Sequence, residues 1–329
     1  MLIYLLRRIV LGVSVVTAAI VATFAIFFLG PSDPAGALCG RNCTPDRIAT
    51  IEKSLGLDKP KVEQLVDYVG GVVVGRDMRA GGLVNHCDAP CLGWSYVQNR
   101  PVTDMVMQAF PVTASIVVGG VVVYTILGIG LGILCARFRG QWLDKVIVTI
   151  SQVLGAIPYY VLAVVFFLYA MKFYGVIPQS SWTPLTQNPW AWFTGLLGVW
   201  LFYGTIASAS YVRYVRASMI DVQGQDYVRT ARSKGISERR IAVKHALRAA
   251  IAPFLTLLGL SIAAELTGAI YTETVFGLPG MGLLSINSFN NSDLPVISGV
   301  VVVSAALIVV ANIIVDVLYG VVDPRVKLS

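Results

Sequence analysis

Charge is scarce in this chain: 13% of its 329 residues are Asp, Glu, Lys or Arg, against about 25% in an ordinary soluble domain. Histidine is nearly absent. The two present, His86 and His245, fall on opposite sides of the expected membrane, so no imidazole pair can hold a metal. No Gly-Lys dipeptide occurs, which removes the GxxxxGK[ST] phosphate loop, and HExxH and GxSxG are missing too. Without a nucleophile placed beside a base, the chain does not read as an enzyme. If ATP drives it, another chain binds the nucleotide and its magnesium, and this chain carries no cofactor or metal of its own. Internal repeats are also lacking, which argues against an ion-coupled secondary transporter built from repeated halves.

What is present is apolar: 56% of residues are hydrophobic, gathered in long runs almost free of charge. About 20 such residues cross a bilayer as a helix. The expected fold is an all-α polytopic membrane protein with six transmembrane helices, at 9–29, 112–134, 146–170, 191–212, 249–276 and 296–322. The first run is too long for a signal-peptide core and is followed by Gly30-Pro31-Ser32-Asp33, which is not a cleavage site. Pro158 should kink the third span by removing a backbone donor. The Gly128-Ile129-Gly130-Leu131-Gly132 run should let a neighbouring backbone approach the second.

The net charge of +7 reflects orientation rather than nucleic-acid binding. Arg7, Arg8, Arg137, Arg139, Lys145, a cluster of nine Lys and Arg between 213 and 248, Arg325 and Lys327 all lie on one side of the expected spans. The loop after the third span has only Lys172 and the loop after the fifth has none. The side rich in Lys and Arg is cytoplasmic, so both termini are expected inside. The chain then divides into an N-terminal arm and first helix (1–30), an exported domain (31–110) and a membrane core (111–329) with a cytoplasmic loop at 213–248. A sensor or assembly anchor would not need so much membrane around so small an exported domain.

The exported domain should hold short helices at 44–57 and 61–74. It contains Cys39, Cys43, Cys87 and Cys91 as two C-x3-C pairs. An even count outside the membrane favours disulfides, with three connectivities open; free thiols, or a metal held with His86, are the alternatives. Cys135, at the inner end of the second span, reads as an ordinary packed thiol.

Between the fourth and fifth expected spans, Asp226 to Arg240 reads as two short helices joined at Gly235. Arg232 and Lys234 suit the negative end of the first helix and Gly235 supplies a left-handed residue after it. Ser237 is a suitable N-cap for the second. The result is a rigid elbow with Tyr227, Ala231, Ile236 and Ile241 as an apolar docking face.

The run from Tyr227 to Gly235, with His245-Ala246-Leu247-Arg248 beyond it, resembles the EAA loop of binding-protein-dependent ATP-binding-cassette importer permeases. It is especially similar to the B subunits of the oligopeptide and dipeptide branch, which also carries nickel systems. Further landmarks follow in the family's order: Arg7-Arg8, Pro31-Ser32-Asp33-Pro34-Ala35, Leu55-Gly56-Leu57-Asp58-Lys59-Pro60, Arg100-Pro101-Val102-Thr103, Phe276-Gly277-Leu278-Pro279-Gly280-Met281-Gly282, Asp316 and Asp323-Pro324-Arg325. Two departures stand out. Arg229-Thr230-Ala231 occupies the place of the EAA triplet, and 76–92 has no counterpart and reads as an insertion.

The resemblance implies a bacterial inner-membrane complex. Its other members would be a second permease, two ATPase subunits or a fused ATPase, and an extracytoplasmic substrate-binding protein. Tyr227, Ala231, Gly235, Ser237, Ile241 and His245 would couple to the ATPase. The loop 277–295, with Gly277, Pro279, Gly280 and Asn290, would meet the binding protein. Ser261, Thr267, Gly268, Thr272, Ser304 and Asn312 would line the pathway, with Glu265 its main charge; a structural hydrogen bond between helices is the alternative for Glu265. Asp316 reads as structural, paired with Arg325. The expected cargo is short peptides, with a nickel chelate, haem or glutathione as alternatives, and not bare nickel or free amino acids.

Overall fold

A computed structural model describes residues 2–29, 44–45, 48–49, 52, 59–80, 83–95, 97–241 and 247–322. Helix α1 (Leu2–Leu29) is followed by α2 (Lys61–Val74), strands β1 (Arg76–Ala80), β2 (Leu83–Cys87), β3 (Trp94–Ser95) and β4 (Arg100–Pro101), and a long α3 (Val102–Arg137). Then come α4 (Trp142–Ala156), α5 (Tyr159–Phe166) with a π-helical turn at Phe167–Phe173, and α6 (Pro189–Gln223). The chain continues through α7 (Asp226–Ser233), α8 (Glu238–Arg240), α9 (Leu247–Leu266), α10 (Ile270–Phe276), α11 (Met281–Asn290) and α12 (Leu294–Val322).

Among the described residues, four helices are long and apolar enough to cross a membrane, within α1, α3, α6 and α12. The expected third span is a broken one: α4 and the helix after it meet at 99°. Pro158 stands at the start of α5 after an extended Ile157, where its missing N–H ends one helix and begins the next. The expected fifth span is not one helix either. It stops at Leu266, and Gly268, at φ +131°, separates it from α10. The fourth runs on to Gln223 because Val212, Val215 and Met219 continue its buried face, so Arg213 and Arg216 belong to a helix rather than to the loop.

The all-α expectation is corrected outside the spans. β1 and β2 form an antiparallel hairpin pairing Arg76 with Cys87 and Asp77 with His86, and β3 pairs with β4. This segment sits on the N-terminal end of α12. The Gly93 carbonyl accepts the Val102 N–H at 3.0 Å, the Ser95 hydroxyl donates to Asp293, and Tyr68 of α2 packs on Phe24 of α1 at 5.7 Å.

The centre of the core is the α3–α6 pair. A Cβ built on Gly120 would stand 2.3 Å from the Tyr203 ring, on Gly128 2.6 Å from Tyr211, and on Gly132 2.7 Å from Val215. Only glycine admits these contacts. Gly130, which points to open space, does not take part in the approach expected of the whole run. The pairs ascend together in number, so α3 and α6 run parallel, and the bent α4–α5 segment must carry the chain back between them. Helix α12 packs between α1 and α9, with Gly12 of α1 against Val309 and Gly259 of α9 against Val315.

Candidate functional site

The elbow takes the expected form at its turn. Gly235 adopts φ +72°, its N–H reaches the Arg232 carbonyl at 2.9 Å, and the Ile236 N–H reaches that of Ala231 at 3.3 Å. This is the paired closure of a Schellman cap, with Ile236 packed near Ala231. Arg232 reaches across the turn to Glu238 with two contacts, at 2.8 and 3.3 Å, and its guanidinium holds the Glu238 carboxyl below its ordinary range. Two expectations change. Ser237 stands at the N-cap, but its hydroxyl makes no capping bond. Val228, Ala231 and Ile241 form the elbow's own small core, so Ala231 and Ile241 are not a docking face. Tyr227, 47% exposed, is the large apolar group left outside, among exposed Arg229, Lys234 and Arg240. His245 lies outside the described residues.

Beyond the elbow, α9 carries Ser261 and Glu265 into a cluster of tyrosines from three other helices. Tyr124 of α3 stacks on Tyr211 of α6 at 4.9 Å and 7°, and Tyr203 of α6 stands edge-on to Tyr124 and Tyr159 at 6.3 and 6.1 Å. Their hydroxyls point at one arm. Tyr211 donates to Ser261 at 2.7 Å, and Tyr124 reaches the Glu265 carboxylate at 3.5 Å. Tyr159 of α5 bonds Thr272 of α10 at 2.7 Å. Glu265, half-buried, thus touches a neighbouring helix through Tyr124. Thr272 is buried and so is not an open lining residue. Thr267 bonds the Ala264 carbonyl at 2.6 Å, and Ser304 reaches back to the Thr267 carbonyl at 3.4 Å; Asn312 is half-buried on α12.

The turn after α10 is built around Glu273, which is fully buried. Its carboxylate accepts from the Thr113 hydroxyl at 2.7 Å and the Leu283 N–H at 2.9 Å, while Thr113 accepts the Met281 N–H at 2.9 Å. A carboxylate thus seats the first turn of α11, where the free N–H groups and helix dipole favour negative charge. A Cβ on Gly280 would fall 2.4 Å from the Glu273 carboxyl carbon. Gly280 is therefore a packing position and not a contact for a partner. Gly277, at φ +66°, Pro279 and Asn290 are exposed.

Cys87 is bonded to Cys91, so the bridge closes within the inserted segment rather than tying it to another part of the chain. Cys39 and Cys43 lie outside the described residues, as does Arg325. Asp316 pairs instead with Arg8 of α1 at 2.9 Å. Cys135 is buried and free. Sequence reasoning missed the lock between α4 and α6: Asp144, at the start of α4, takes two bonds from Arg216 at 2.6 and 2.7 Å and one from the Gly140 N–H at 2.9 Å. Counting Arg216 among the loop cations concealed it. The tyrosine cluster had a faint signal, since Gly120 and Gly128 have the same spacing as Tyr203 and Tyr211.

Comparison with known proteins agrees along the whole chain. Residues 1–117 match the N-terminal model of the binding-protein-dependent transport system membrane component, and residues 128–328 match the model of the inner membrane component itself. The chain is similar to the dipeptide transport system permease protein DppB of Escherichia coli (strain K12), at 32% identity with 99% of each chain covered. It is similar to a "Probable peptide ABC transporter permease protein" of Sinorhizobium fredii (strain NBRC 101917 / NGR234), at 30% identity, again with 99% of each covered. Among solved structures, a chain of the inward-facing MetNI methionine ABC transporter matches in fold with TM-score 0.55 and 16% identity. That match covers 67% of this chain and 97% of the other.

Proposed function

This chain belongs to the family of binding-protein-dependent transport system inner membrane components, and from that membership we propose that it is the permease subunit of an ATP-driven importer of short peptides. The observation that carries the cargo class is the full-length similarity to a dipeptide permease.

The working complex pairs this chain with a second permease, two ATPase subunits or a fused ATPase, and an extracytoplasmic binding protein. ATP and magnesium sit in the ATPase, and the permease contributes no hydrolytic group. Both termini and the elbow are cytoplasmic. The elbow seats in a cleft of the ATPase, and its exposed residues define what that cleft offers. From Asp226 to Arg240 there are five cations against two carboxylates, so the seat is acidic, with an apolar slot for Tyr227. Closure of the ATPases then shifts the elbow as a rigid piece, because its internal core and the Arg232–Glu238 bridge keep its angle. That is a two-state change driven by different binding to two conformations.

Reconstituted vesicles containing the complete complex test the reading. Labelled dipeptides and tripeptides should accumulate only with ATP and the binding protein, while free amino acids and bare nickel remain outside. Uptake of another solute with peptides excluded would remove the peptide assignment and leave the importer. Orientation is checked separately in intact cells: Gln187→Cys should react with an impermeant thiol reagent and Gly235→Cys should not.

A further inference from the structure

The tyrosine hydroxyls converge on one moving part. Tyr124, Tyr211 and Tyr159 come from α3, α6 and α5, yet each bonds a group on the α9–α10 arm: Glu265, Ser261 or Thr272. That arm is the stretch following the elbow in the chain. Its outer end is tied to α3 by Glu273 and Thr113, and its course breaks at Gly268. Gly268 combines φ +131° with a backbone so close to Gly282 that a Cβ would lie 2.9 Å from the Gly282 Cα. The arm thus has a fixed outer end, a glycine break in the middle and an inner end joined to the elbow. Between break and elbow, hydroxyl bonds and the packing of Ala250 and Phe254 hold it to the α3–α6 pair.

We propose that Glu265 and the tyrosines facing it form a latch, which keeps α9 against α3 and α6 in the state seen here and opens when the elbow moves, α9 turning about Gly268. Glu265 is then a positioning residue for the transport cycle rather than a group that selects cargo. Hydrogen bonds suit this task, because a hydroxyl and a carboxylate can exchange each other for water when the arm departs. The apolar contacts of the α3–α6 pair have no such substitute. The inference rests on the importer reading, since it needs an elbow that moves with ATP.

The test uses the complete complex in vesicles. Tyr124→Phe with Tyr211→Phe removes the two hydroxyls that bond Glu265 and Ser261 and leaves both rings. ATP hydrolysis without binding protein should rise about tenfold, the shift expected when two modest bonds holding one state are lost, and peptide carried per ATP should fall. Glu265→Ala should act alike. Glu265→Gln, which still accepts from Tyr124, should stay within about twofold of wild type. Unchanged hydrolysis in the double Phe variant would overturn the latch. So would a Gln variant as impaired as the Ala variant, because charge rather than hydrogen bonding would then matter. Wild-type vesicles showing no ATP-dependent peptide uptake would instead indict the importer reading itself.

Discussion

The α3–α6 pair and the α9–α10 arm occupy the same membrane layer and are held by different means. On α3, Gly119, Gly120, Gly128 and Gly132 leave room for Trp200, Tyr203, Tyr211 and Val215 of α6, and any Cβ there would stand between 2.2 and 2.7 Å from a neighbouring atom. Such a fit has one solution, since a packed interior does not deform gradually. The arm meets α3 and α6 through Tyr–Glu and Tyr–Ser bonds and α5 through a Tyr–Thr bond, each worth about 0.6–2 kcal/mol within a membrane. Close packing alone fixes the α3–α6 seam, whereas the arm is held to its neighbours by packing and by exchangeable bonds together.

The largest effect expected is on the scaffold. Gly120→Val places a branched side chain where the Tyr203 ring stands and should cost about 1–3 kcal/mol or more from overpacking. The permease should fail to accumulate in membranes. Gly130→Val, with nothing within 4 Å of its built Cβ, should accumulate normally. Immunoblots of membrane fractions decide this, and equal amounts of the two variants would break the distinction between shape-held and bond-held regions.

Next comes the outer anchor of the arm. Gly280→Ala drives a methyl group into the Glu273 carboxyl and should cost about 1–3 kcal/mol. Glu273→Ala strips the partner from the Thr113 hydroxyl and the Leu283 N–H, with a similar loss of about 1–3 kcal/mol for the groups left unsatisfied. Both should lower the unfolding temperature of the detergent-solubilised permease. Glu273→Gln should retain more of it. A stable Gly280→Ala variant would mean that the turn can relax and is not a fixed anchor.

The elbow sharpens the comparison from the side of function. Gly235→Val meets no neighbour but forces a branched residue to φ +72°, at about 1–2 kcal/mol locally. Membrane levels should be normal while uptake fails and ATP hydrolysis continues. Normal uptake would remove the coupling role.

How much of this could be read from the sequence follows the same division. Local rules sufficed for α2, which spans Lys61–Val74, for the Pro158 break and for the Gly235 cap, since each depends on a few adjacent residues. Apolar runs located α1, α3, α6 and α12. The break at Gly268 was hidden because apolar residues continue on both sides. The β1–β2 hairpin was overlooked although Gly81-Gly82 lies between its strands, a recognised turn signal. The tyrosine network could not be read, because its partners lie 50, 113 and 141 residues apart. The docking face was misjudged for a physical reason as well: in so short an elbow, the apolar residues that seem available to a partner are needed to hold its two helices together.

The smallest effect concerns the β1–β2 hairpin, where a polar bond between two exposed side chains joins the strands. His86 Nδ1 lies 2.7 Å from Asp77 across the two strands, and Asp88 stands 3.5 Å from the other ring nitrogen. The hydrogen bond to Asp77, reinforced by the charges of Asp77 and Asp88, raises the His86 pKa above its ordinary value. The sign follows from linkage: a group whose folded pKa is raised stabilises fully below its unfolded value, about 6.5 for histidine, and the benefit disappears as pH climbs through the folded value. Hairpin amides should therefore be better protected from hydrogen exchange at about pH 5.5 than at about pH 8.5, after correction for intrinsic rates. Asp77→Asn should abolish most of the difference. Amides of α3 should respond less across the same interval, because close packing sets the α3–α6 seam from Gly119 to Gly132. An equal response in α3 would place the pH effect in the whole molecule rather than in the His86–Asp77 bond, and the contrast between bond-held and shape-held regions would lose its simplest support.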